Sequence, residues 1–284
     1  RLPEKLTLQR TLPAYFTVQI TNRYSQRVSY EPFFDMQKEE AETRLSLHRF
    51  RELVEAIEAF APESVLSIGY RGEPALHPDI VGIVETVENS PSLSLYIETS
   101  GVGWEEEQLE ALAQRSLDRT TFIVLLDADN QQSYRELRGE GFEEAHRFAR
   151  RMRAAHPNST YVQATRLKEF QETLEEFYRN WKEEKPIIQK YNRYCGELPD
   201  RRVTDLSPLE RFPCWHLQRD IAILADWTVP LCQEDIHRTH TLGNVFADGL
   251  EEVWERGAPH FEAHTREEYT GICGYCDEYY TFNA

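Results

Sequence analysis

The sequence predicts an α/β fold, with a partial (β/α)6 barrel of parallel strands followed by a small cysteine-rich C-terminal domain. Two observations carry this prediction. Short runs of β-branched and aromatic residues alternate with longer stretches in which apolar residues recur at helical spacing. Four of the five cysteines of the 284-residue chain come from residue 214 onward. We therefore expect residues 1–192 to form the barrel and residues 193–284 to form the C-terminal domain.

The barrel segment contains six predicted strands and five predicted helices. The first strand reads YFTVQI, and the first helix has its apolar residues in one helical stripe. The predicted strands are residues 15–20, 64–69, 93–98, 121–127, 160–165 and 187–191, and the predicted helices are residues 45–60, 79–88, 105–114, 143–156 and 167–182. Alternating strands and helices form parallel sheets with right-handed crossovers, which suits a doubly wound sheet as well as a partial barrel. In both folds, functional groups collect at the carboxyl ends of the strands.

The composition excludes several classes of function. The net charge is −17, which argues against a nucleic-acid-binding surface because phosphate contacts need clustered Lys and Arg. No apolar run reaches the roughly 20 residues that span a bilayer, and no signal peptide opens the chain. The odd number of cysteines favours reduced thiols in the cytoplasm over disulfides. A start at Arg1 indicates a piece of a longer protein, and a protein or peptide partner is left open.

Four cysteines near the end of the chain are the predicted metal ligands. They are Cys214, Cys232, Cys273 and Cys276. Gathered thiolates suit a zinc ion or an iron–sulfur cluster, and the CxxC spacing of the last pair strengthens the prediction. The alternative is a chance CxxC together with two buried small side chains. Residues 220–232 read as a hairpin that turns at residues 225–227, which would carry the first two cysteines near each other.

Other sulfur and imidazole groups lie close to these cysteines in sequence. Cys195 follows the sixth strand; a spare ligand and a reactive thiol are the alternatives there, and we favour a plain buried thiol. His216, His237 and His240 allow a mixed Cys/His zinc site. Four cysteines already complete a tetrahedral set of ligands, so we interpret the histidines as surface or supporting groups.

The loop after the second strand holds the first candidate binding residues. Gly72 lets the backbone approach a ligand closely, and Glu73 can accept hydrogen bonds from an amine or from hydroxyl groups. A tight turn ahead of a helix that begins with Pro74 explains the same three residues equally well.

Short motifs at the strand ends resemble those of the radical S-adenosylmethionine (radical SAM) family. They are ITNR after the first strand, GYRGEPALHPDI after the second, ETSG after the third and LLDAD after the fourth. The later segments WTVPLCQED and LGNVFADGLEEVW resemble the SPASM or twitch extension, which carries an auxiliary cluster in many members of that family. The resemblance covers residues 15–276, which is nearly the whole chain.

The resemblance implies a cofactor site and a cluster site. In the family the barrel binds SAM, so Gly72, Glu73 and Pro74 are expected against its methionyl amine. Glu98, Thr99 and Ser100 match the third-strand loop that also faces the cofactor. The same resemblance implies that the four C-terminal cysteines bind one auxiliary 4Fe–4S cluster.

One departure from the family pattern lies in the loop after the first strand. The family places three cysteines there, as CxxxCxxC, to hold the cluster that binds and cleaves SAM. In this sequence those positions are Tyr24, Val28 and Glu31, whose side chains are poor ligands for a soft cluster. This pattern resembles the subgroup called spiro-SPASM proteins, which includes members without the motif. We therefore expect weak or no SAM binding and no SAM cleavage.

Three classes of function follow from these observations. The first is a degenerate radical SAM protein that acts in binding, electron relay or scaffolding. The second is an enzyme in which Glu73, Glu98 or Asp127 performs acid–base chemistry on a small ligand. The third is a partner-binding module with a structural zinc ion on the four cysteines.

Overall fold

A computed structural model of the chain describes residues 10–203 and 211–278. The strands are β1 (Tyr15–Val18), β2 (Val65–Ile68), β3 (Ser94–Thr99), β4 (Thr120–Leu125), β5 (Thr160–Arg166), β6 (Ile187–Lys190), β7 (Asp220–Ile223), β8 (Thr228–Pro230) and β9 (Thr241–Asn244). The helices are α1 (Phe33–Met36), α2 (Leu47–Phe60), α3 (Ile80–Glu88), α4 (Glu106–Ala113), α5 (Gln131–Arg138), α6 (Phe142–Ala155), α7 (Gln171–Trp181), α8 (Trp215–Arg219), α9 (Val245–Asp248) and α10 (Leu250–Thr265).

Seven parallel strands form one curled sheet, the half-barrel that the sequence predicts. The strand order is β6-β5-β4-β3-β2-β1-β7, and every neighbouring pair is parallel. All six predicted strands are present in this sheet, and each of the five predicted helices is present between or after them. The predicted fold class is therefore confirmed.

The strands present one face to the helices and the other to the interior of the barrel. On β3, Leu95 and Ile97 are completely buried in a core that also contains Ile83 of α3. Tyr96 and Glu98 alternate with them and line a cavity instead. Because successive side chains of a strand point to opposite faces, a strand of alternating pattern supplies both the core and the wall of a site.

The predicted hairpin of residues 220–232 is wrong in its pairing. The chain does turn where expected, because the amide of Leu224 donates to the carbonyl of Thr228 at 2.9 Å. However, β7 pairs parallel with β1, whereas β8 pairs antiparallel with β9. The β7 sequence, DIAI, has its last three residues buried, as is typical of a parallel strand that is covered on both faces.

The C-terminal part of the chain packs against the barrel. Strands β8 and β9 form a small separate sheet, and α10 contacts both α2 of the barrel and α8. The division at residue 192 stays a prediction, although β7 lies beyond it and belongs to the barrel sheet. Within the described ranges, no helix combines the length and the hydropathy needed to cross a membrane.

Candidate functional site

A cavity of about 500 Å³ lies inside the barrel, at the carboxyl ends of the strands. Its walls come from the loops after β1, β2 and β3, and from the segment that follows β6. The loop after β8, with Gln233 and Glu234, forms a further wall. The sequence placed the functional residues at these strand ends, and most of the predicted binding residues do line this cavity.

Glu73 joins the two loops that the sequence singled out. Its carboxylate accepts hydrogen bonds from the hydroxyl of Thr99 at 2.5 Å, and from the amide and hydroxyl of Ser100 at 2.9 and 2.6 Å. It also accepts a bond from the amide of Ala75 at 3.3 Å, where it caps the short 3₁₀ turn that begins at Pro74. Burial raises the pKa of Glu73, and these hydrogen bonds oppose that shift. The Glu73 carboxylate therefore clamps the loop after β2 to the loop after β3.

Gly72 is needed for a close approach within the chain itself. A Cβ atom at this position would lie 1.8 Å from the carbonyl oxygen of Thr21, in the loop after β1. No side chain fits in that space. The loops after β1 and β2 are therefore locked together, and the amide of Glu73 adds a hydrogen bond of 2.7 Å to the carbonyl of Arg23.

The three positions that match the family's cluster cysteines all line the cavity. Tyr24 stacks on Phe33 with ring centroids 5.8 Å apart, and Phe33 in turn contacts the edge of Tyr194 at 5.1 Å. Val28 is buried and Glu31 is partly buried. Among the described residues that line this cavity there is no cysteine. Aromatic, aliphatic and carboxylate groups thus lie at the positions to which the sequence resemblance assigns the three thiolates.

Glu31, in the loop after β1, is a carboxylate with a strongly raised pKa. Burial raises its pKa to about 7. The Arg138 guanidinium opposes this shift, whereas the nearby carboxylates of Asp127, Glu98 and Glu73 add to it. Glu98 has a raised pKa as well, again because of burial, and it accepts a hydrogen bond from Ser67 at 3.0 Å. Burial thus shifts the pKa values of both carboxylates upward, toward the neutral form.

Asp127 is engaged in a buried ion pair rather than free for acid–base chemistry. Its Oδ2 atom lies 2.6 Å from Nη1 of Arg138, and both side chains are almost completely buried. The hydroxyl of Tyr30 donates to the same oxygen at 2.5 Å, and the amide of Thr165 donates to Oδ1 at 2.7 Å. Sequence reasoning missed Arg138 because α5, which carries it, has few apolar residues and was not predicted.

The wall opposite the first three loops is built around Glu234, which sequence reasoning also missed. Its carboxylate accepts hydrogen bonds from Asn192 at 2.5 Å and from Gln233 at 3.2 Å. Burial raises its pKa to about 7, and the carboxylate of Glu278 adds to the shift. The carbonyl of Gln233 accepts a bond of 2.9 Å from the hydroxyl of Tyr70. The residues directly after Cys232 thus connect the barrel cavity with the cysteine-rich part.

All five cysteines line one small cavity in the C-terminal part. Its volume is about 20 Å³, and its walls include Cys195, Cys214, Cys232, Cys273 and Cys276. The structure therefore brings the four predicted ligands together. Cys195, predicted from the sequence to be a plain buried thiol, lines the same cavity and lies among the predicted ligands.

Backbone amides point at two of the four predicted ligand sulfurs. Cys214 directly precedes α8, and its side chain makes no capping hydrogen bond to that helix. The amide of Glu234 donates to Sγ of Cys232 at 3.5 Å, and the amide of Glu278 donates to Sγ of Cys276 at 3.4 Å. Amide donors of this kind stabilise thiolates and tune the potentials of iron–sulfur clusters.

The donor chemistry fits a metal centre, although the thiols are not yet arranged as a coordination sphere. In the described part of the chain, no three Cys, His, Asp or Glu side chains are spaced to hold one ion. Burial raises the pKa of Cys273 to about 11, so a bound metal would be needed to keep it as a thiolate. The fit thus rests on the grouping of thiols in one cavity and on the amides directed at them.

The histidines considered as zinc ligands have other partners. Nδ1 of His216 lies 2.7 Å from a carboxylate oxygen of Asp220. His237 pairs with Glu197 at the surface, and the ring of His240 contacts that of His260. The contact of His216 involves only Nδ1, and His216 also lines the cysteine cavity, so a mixed Cys/His zinc site remains an alternative at this residue.

Comparison with known proteins gives one sequence family and one fold. A model of the SPASM family, an iron–sulfur cluster-binding domain, matches residues 214–277. An uncharacterised protein of Treponema pallidum (strain Nichols) is 41% identical over 290 residues, which cover 96% of this chain and 80% of that protein.

Three solved structures share the fold at low sequence identity. SuiB of Streptococcus suis, bound to the precursor peptide SuiA, has a TM-score of 0.71 and 14% identity over 88% of this chain. BtrN in complex with AdoMet and 2-DOIA has a TM-score of 0.62 and 14% identity, covering 95% of this chain and 94% of BtrN. The AdoMet-bound anSMEcpe has a TM-score of 0.67 and 11% identity, covering 89% of this chain and 84% of that protein. The chain spans 66% of SuiB in that complex.

Proposed function

This chain belongs to the same family as the uncharacterised Treponema pallidum protein, with a SPASM domain beside a barrel of the radical SAM fold, and we propose its function from that premise. The chain is a degenerate radical SAM protein that binds one auxiliary 4Fe–4S cluster and does not cleave SAM reductively. It acts by holding a ligand in the barrel cavity beside that cluster, as a binding or electron-relay protein.

The observation that carries this proposal is the lining of the cavity at Tyr24, Val28 and Glu31. A cluster that binds SAM needs three thiolates and leaves one iron open. Here a tyrosine, a valine and a carboxylate line the cavity at those positions. The C-terminal cysteines would fill every iron of their own cluster, so they offer SAM no open position. Electron transfer to SAM needs near-contact alignment with the iron.

The cluster itself is assigned to Cys214, Cys232, Cys273 and Cys276. Zinc on the same four thiols is the competing assignment, and the match of residues 214–277 to the SPASM iron–sulfur cluster-binding domain favours iron and sulfide. When bound, a 4Fe–4S cluster supplies one-electron redox chemistry. The chain's own residues hold the thiolates, donate hydrogen bonds to them and cover them with the buried side chains of Leu217 and Phe261.

Metal analysis tests the assignment. We expect about four irons and four sulfides per chain after anaerobic reconstitution, and loss of both in Cys273→Ala. The matched control is Tyr275→Phe in the same loop, since Tyr275 is 78% exposed and its ring makes no cluster contact in this assignment. Zinc in place of iron, or full iron in Cys273→Ala, would contradict the assignment.

The second experiment tests the loss of SAM chemistry. Reconstituted protein is reduced with dithionite in the presence of SAM, and 5′-deoxyadenosine is measured against a control without protein. We expect no release above that control. Calorimetric titration should also show SAM binding weaker than micromolar, which corresponds to about −8 kcal/mol, because the iron that chelates the methionyl group in the family is missing.

Restoring the three thiols tests the alignment of this loop. In the triple variant Tyr24→Cys, Val28→Cys, Glu31→Cys, iron content should rise by about one cluster, since three thiolates hold a site-differentiated 4Fe–4S centre. Val28→Cys alone is the control, because one added thiol cannot hold a cluster. A folded triple variant without extra iron would show that the alignment of the loop is wrong.

Glu31 supports a second candidate function, an enzyme that performs acid–base chemistry on a small ligand. Its pKa of about 7 is close to the value that suits a general acid or base near neutral pH. Glu98 is the companion carboxylate, whereas Asp127 is held in its ion pair and Glu73 in its clamp. A small ligand that raises the melting temperature of the wild type but not of Glu31→Gln, and is turned over, would favour this candidate.

Location and partners also remain proposals. A cytoplasmic location agrees with the five free thiols.

SuiB is solved with a precursor peptide, and a peptide partner is proposed for this chain because it shares the barrel fold. Fluorescence anisotropy with labelled peptides of its genomic neighbours would test that partner class, with no binding by any peptide as the contrary result.

A further inference from the structure

Arg71, in the loop after β2, carries a buried positive charge that is poorly paired. Its side chain is 3% exposed, and the residue lines the barrel cavity. Its Nη1 atom has no hydrogen-bond partner among the described residues. Its Nη2 atom lies 3.7 Å from a carboxylate oxygen of Glu40, which is too far for a hydrogen bond, and the Glu40 side chain is 32% exposed. Because a buried charge is costly unless it is paired and hydrogen-bonded, this guanidinium still has donors to offer.

The other Arg and Lys side chains that line the described part of the cavity have close partners. Each has a carboxylate oxygen within 3.2 Å: Arg138 has Asp127, Arg219 has Asp220, and Lys190 has Glu278. These charges are neutralised within the chain, so Arg71 is the basic group that is left to meet a ligand.

The backbone of Arg71 is held in an unfavourable conformation. Its φ is 53°, in the left-handed region, where residues other than glycine persist only if their surroundings determine the conformation. The carbonyl of Arg71 accepts a hydrogen bond of 2.9 Å from the side chain of Gln19, which in turn accepts one of 3.2 Å from the amide of Ala225. Strand β1 and the end of β7 thus fix the point from which the Arg71 side chain starts.

Aromatic rings lie beside the Arg71 guanidinium. Its Cζ atom is 5.6 Å from the centre of the Phe33 ring, and Phe33 contacts the rings of Tyr24 and Tyr194. All three rings line the cavity, whose volume of about 500 Å³ is within the range of small-molecule sites. A positive charge next to apolar ring faces suits a ligand with an anionic end and an apolar or aromatic body.

We propose that Arg71 binds an anionic oxygen group, a carboxylate or a phosphate, of a small molecule whose body packs against Tyr24, Phe33 and Tyr194. The forked donors of a guanidinium match the paired oxygens of such a group. The inference rests on the proposed role of the cavity in holding a ligand, and it does not depend on the metal at the cysteines.

The carboxylates of the cavity are compatible with an anionic ligand. The oxygens of Glu73 already accept hydrogen bonds from the loop after β3. Burial raises the pKa of Glu31 and of Glu234 to about 7, and it also raises the pKa of Glu98. These three groups can therefore take up a proton near neutral pH when an anion enters the cavity.

The test titrates the reconstituted chain with four small probes that share a benzene ring. Benzoate and phenyl phosphate carry the two anionic groups, benzamide is uncharged and benzylamine is positively charged. Calorimetry and thermal unfolding should show binding of at least one anion and no binding of benzamide or benzylamine. The comparison of benzoate with phenyl phosphate identifies the anionic group. Tighter binding of benzylamine than of both anions would overturn the proposal, because the carboxylates would then determine the class of ligand.

Variants assign the binding to Arg71. Arg71→Met should weaken the binding of the anion at least about tenfold, since a hydrogen-bonded charge is lost. Arg219→Met is the matched control, because Arg219 lines the same cavity but is paired with Asp220, and it should keep the wild-type affinity. If Arg71→Met does not fold, Arg71→Lys takes its place; it lacks the forked donors and should bind more weakly than Arg219→Met. Affinity equal to that of the control would overturn the assignment.

Urea unfolding without a probe separates a binding residue from a structural one. Because Arg71→Met removes a buried charge that is poorly paired, its unfolding midpoint should equal or exceed that of the wild type. A lower midpoint would mean that Arg71 serves the fold, and it would overturn the proposal. A wild type that binds neither anion refutes the ligand-holding role of the cavity, and this is seen before any variant is compared. Binding by the wild type that Arg71→Met fully retains refutes only the role of Arg71.

Discussion

Removing Arg138 should destabilise the barrel strongly, because it leaves a charge without its partner in the interior. The Arg138 side chain is 3% exposed and that of Asp127 is 2% exposed, with 2.6 Å between the charged atoms. Arg138 also donates to the hydroxyl of Tyr30 at 3.0 Å. In Arg138→Met the new side chain fills similar space without a charge, so the loss reports on the ion pair rather than on a void.

The expected loss of stability depends on the hydrogen bonds that Asp127 keeps after Arg138 is removed. Breaking a buried pair by removing one partner costs about 3–5 kcal/mol, since the remaining charge is uncompensated. Asp127 keeps its bonds from Tyr30 and from the amide of Thr165, which partly solvate the carboxylate. We therefore expect a loss of about 3 kcal/mol. With a urea m-value of about 3 kcal/mol/M, the unfolding midpoint should fall by about 1 M.

Urea unfolding followed by circular dichroism measures this loss. The control is Arg135→Met on the same helix, because Arg135 pairs with Glu140 at 2.8 Å but both side chains are more than two-thirds exposed. That change should cost less than about 1 kcal/mol. Asp127→Asn combined with Arg138→Met should recover part of the loss. Equal midpoints for the two methionine variants would refute the reasoning about burial.

Three other predictions concern the cavity and its loops. The pKa of Glu31 is about 7 in the folded chain, above its ordinary value of 4.5. The contribution of Glu31 to the free energy of unfolding is therefore fully present below about pH 4.5 and is lost as the pH rises through 7. Glu31→Gln should therefore reduce the loss of stability between about pH 5 and pH 8 in urea titrations. Gly72→Ala should lower the free energy of unfolding by at least about 1–3 kcal/mol, since its Cβ would lie 1.8 Å from a backbone oxygen. Gly257→Ala is the control, because its Cβ would lie 3.6 Å from the nearest side chain, and it should not lower stability in thermal unfolding. Ser100→Ala removes a bond of 2.6 Å to the Glu73 carboxylate, and a loss of about 1.5–3 kcal/mol in the same assay is expected; no loss would show that the clamp contributes little.

The barrel was predictable from sequence because its local patterns agree with its tertiary structure. The strand predicted at residues 93–98 is found at Ser94–Thr99, and the helix predicted at residues 45–60 is found at Leu47–Phe60. Both segments have strong periodicity, which fixes their type and leaves only the ends uncertain. The meeting of Glu73 with Thr99 and Ser100 follows in turn, because the carboxyl ends of neighbouring parallel strands lie side by side.

The parts that were missed depend on contacts between distant segments. Helix α5 has only Tyr134 and Leu137 as buried apolar side chains, so its pattern gave no signal and Arg138 was overlooked. Cys195 shares a cavity with the four predicted ligands, and its segment has three successive left-handed residues, of which only the last is a glycine. No motif or periodicity in the local sequence predicts that this segment places its thiol beside the other four.

The pairing of β1 with β7 makes the barrel depend on residues that are synthesised late. Tyr15 is aligned with Asp220, so the edge of β1 stays unpaired until a strand roughly two hundred residues further along the chain has been synthesised. Contacts this distant in sequence form slowly, since the loop between them must first be closed. Until β7 pairs with β1, the unpaired edge of β1 can form a sheet with other chains. The cysteine-rich part, which follows directly, should therefore fold at the same time as the barrel is completed, and expression of the barrel residues alone is expected to give aggregated protein.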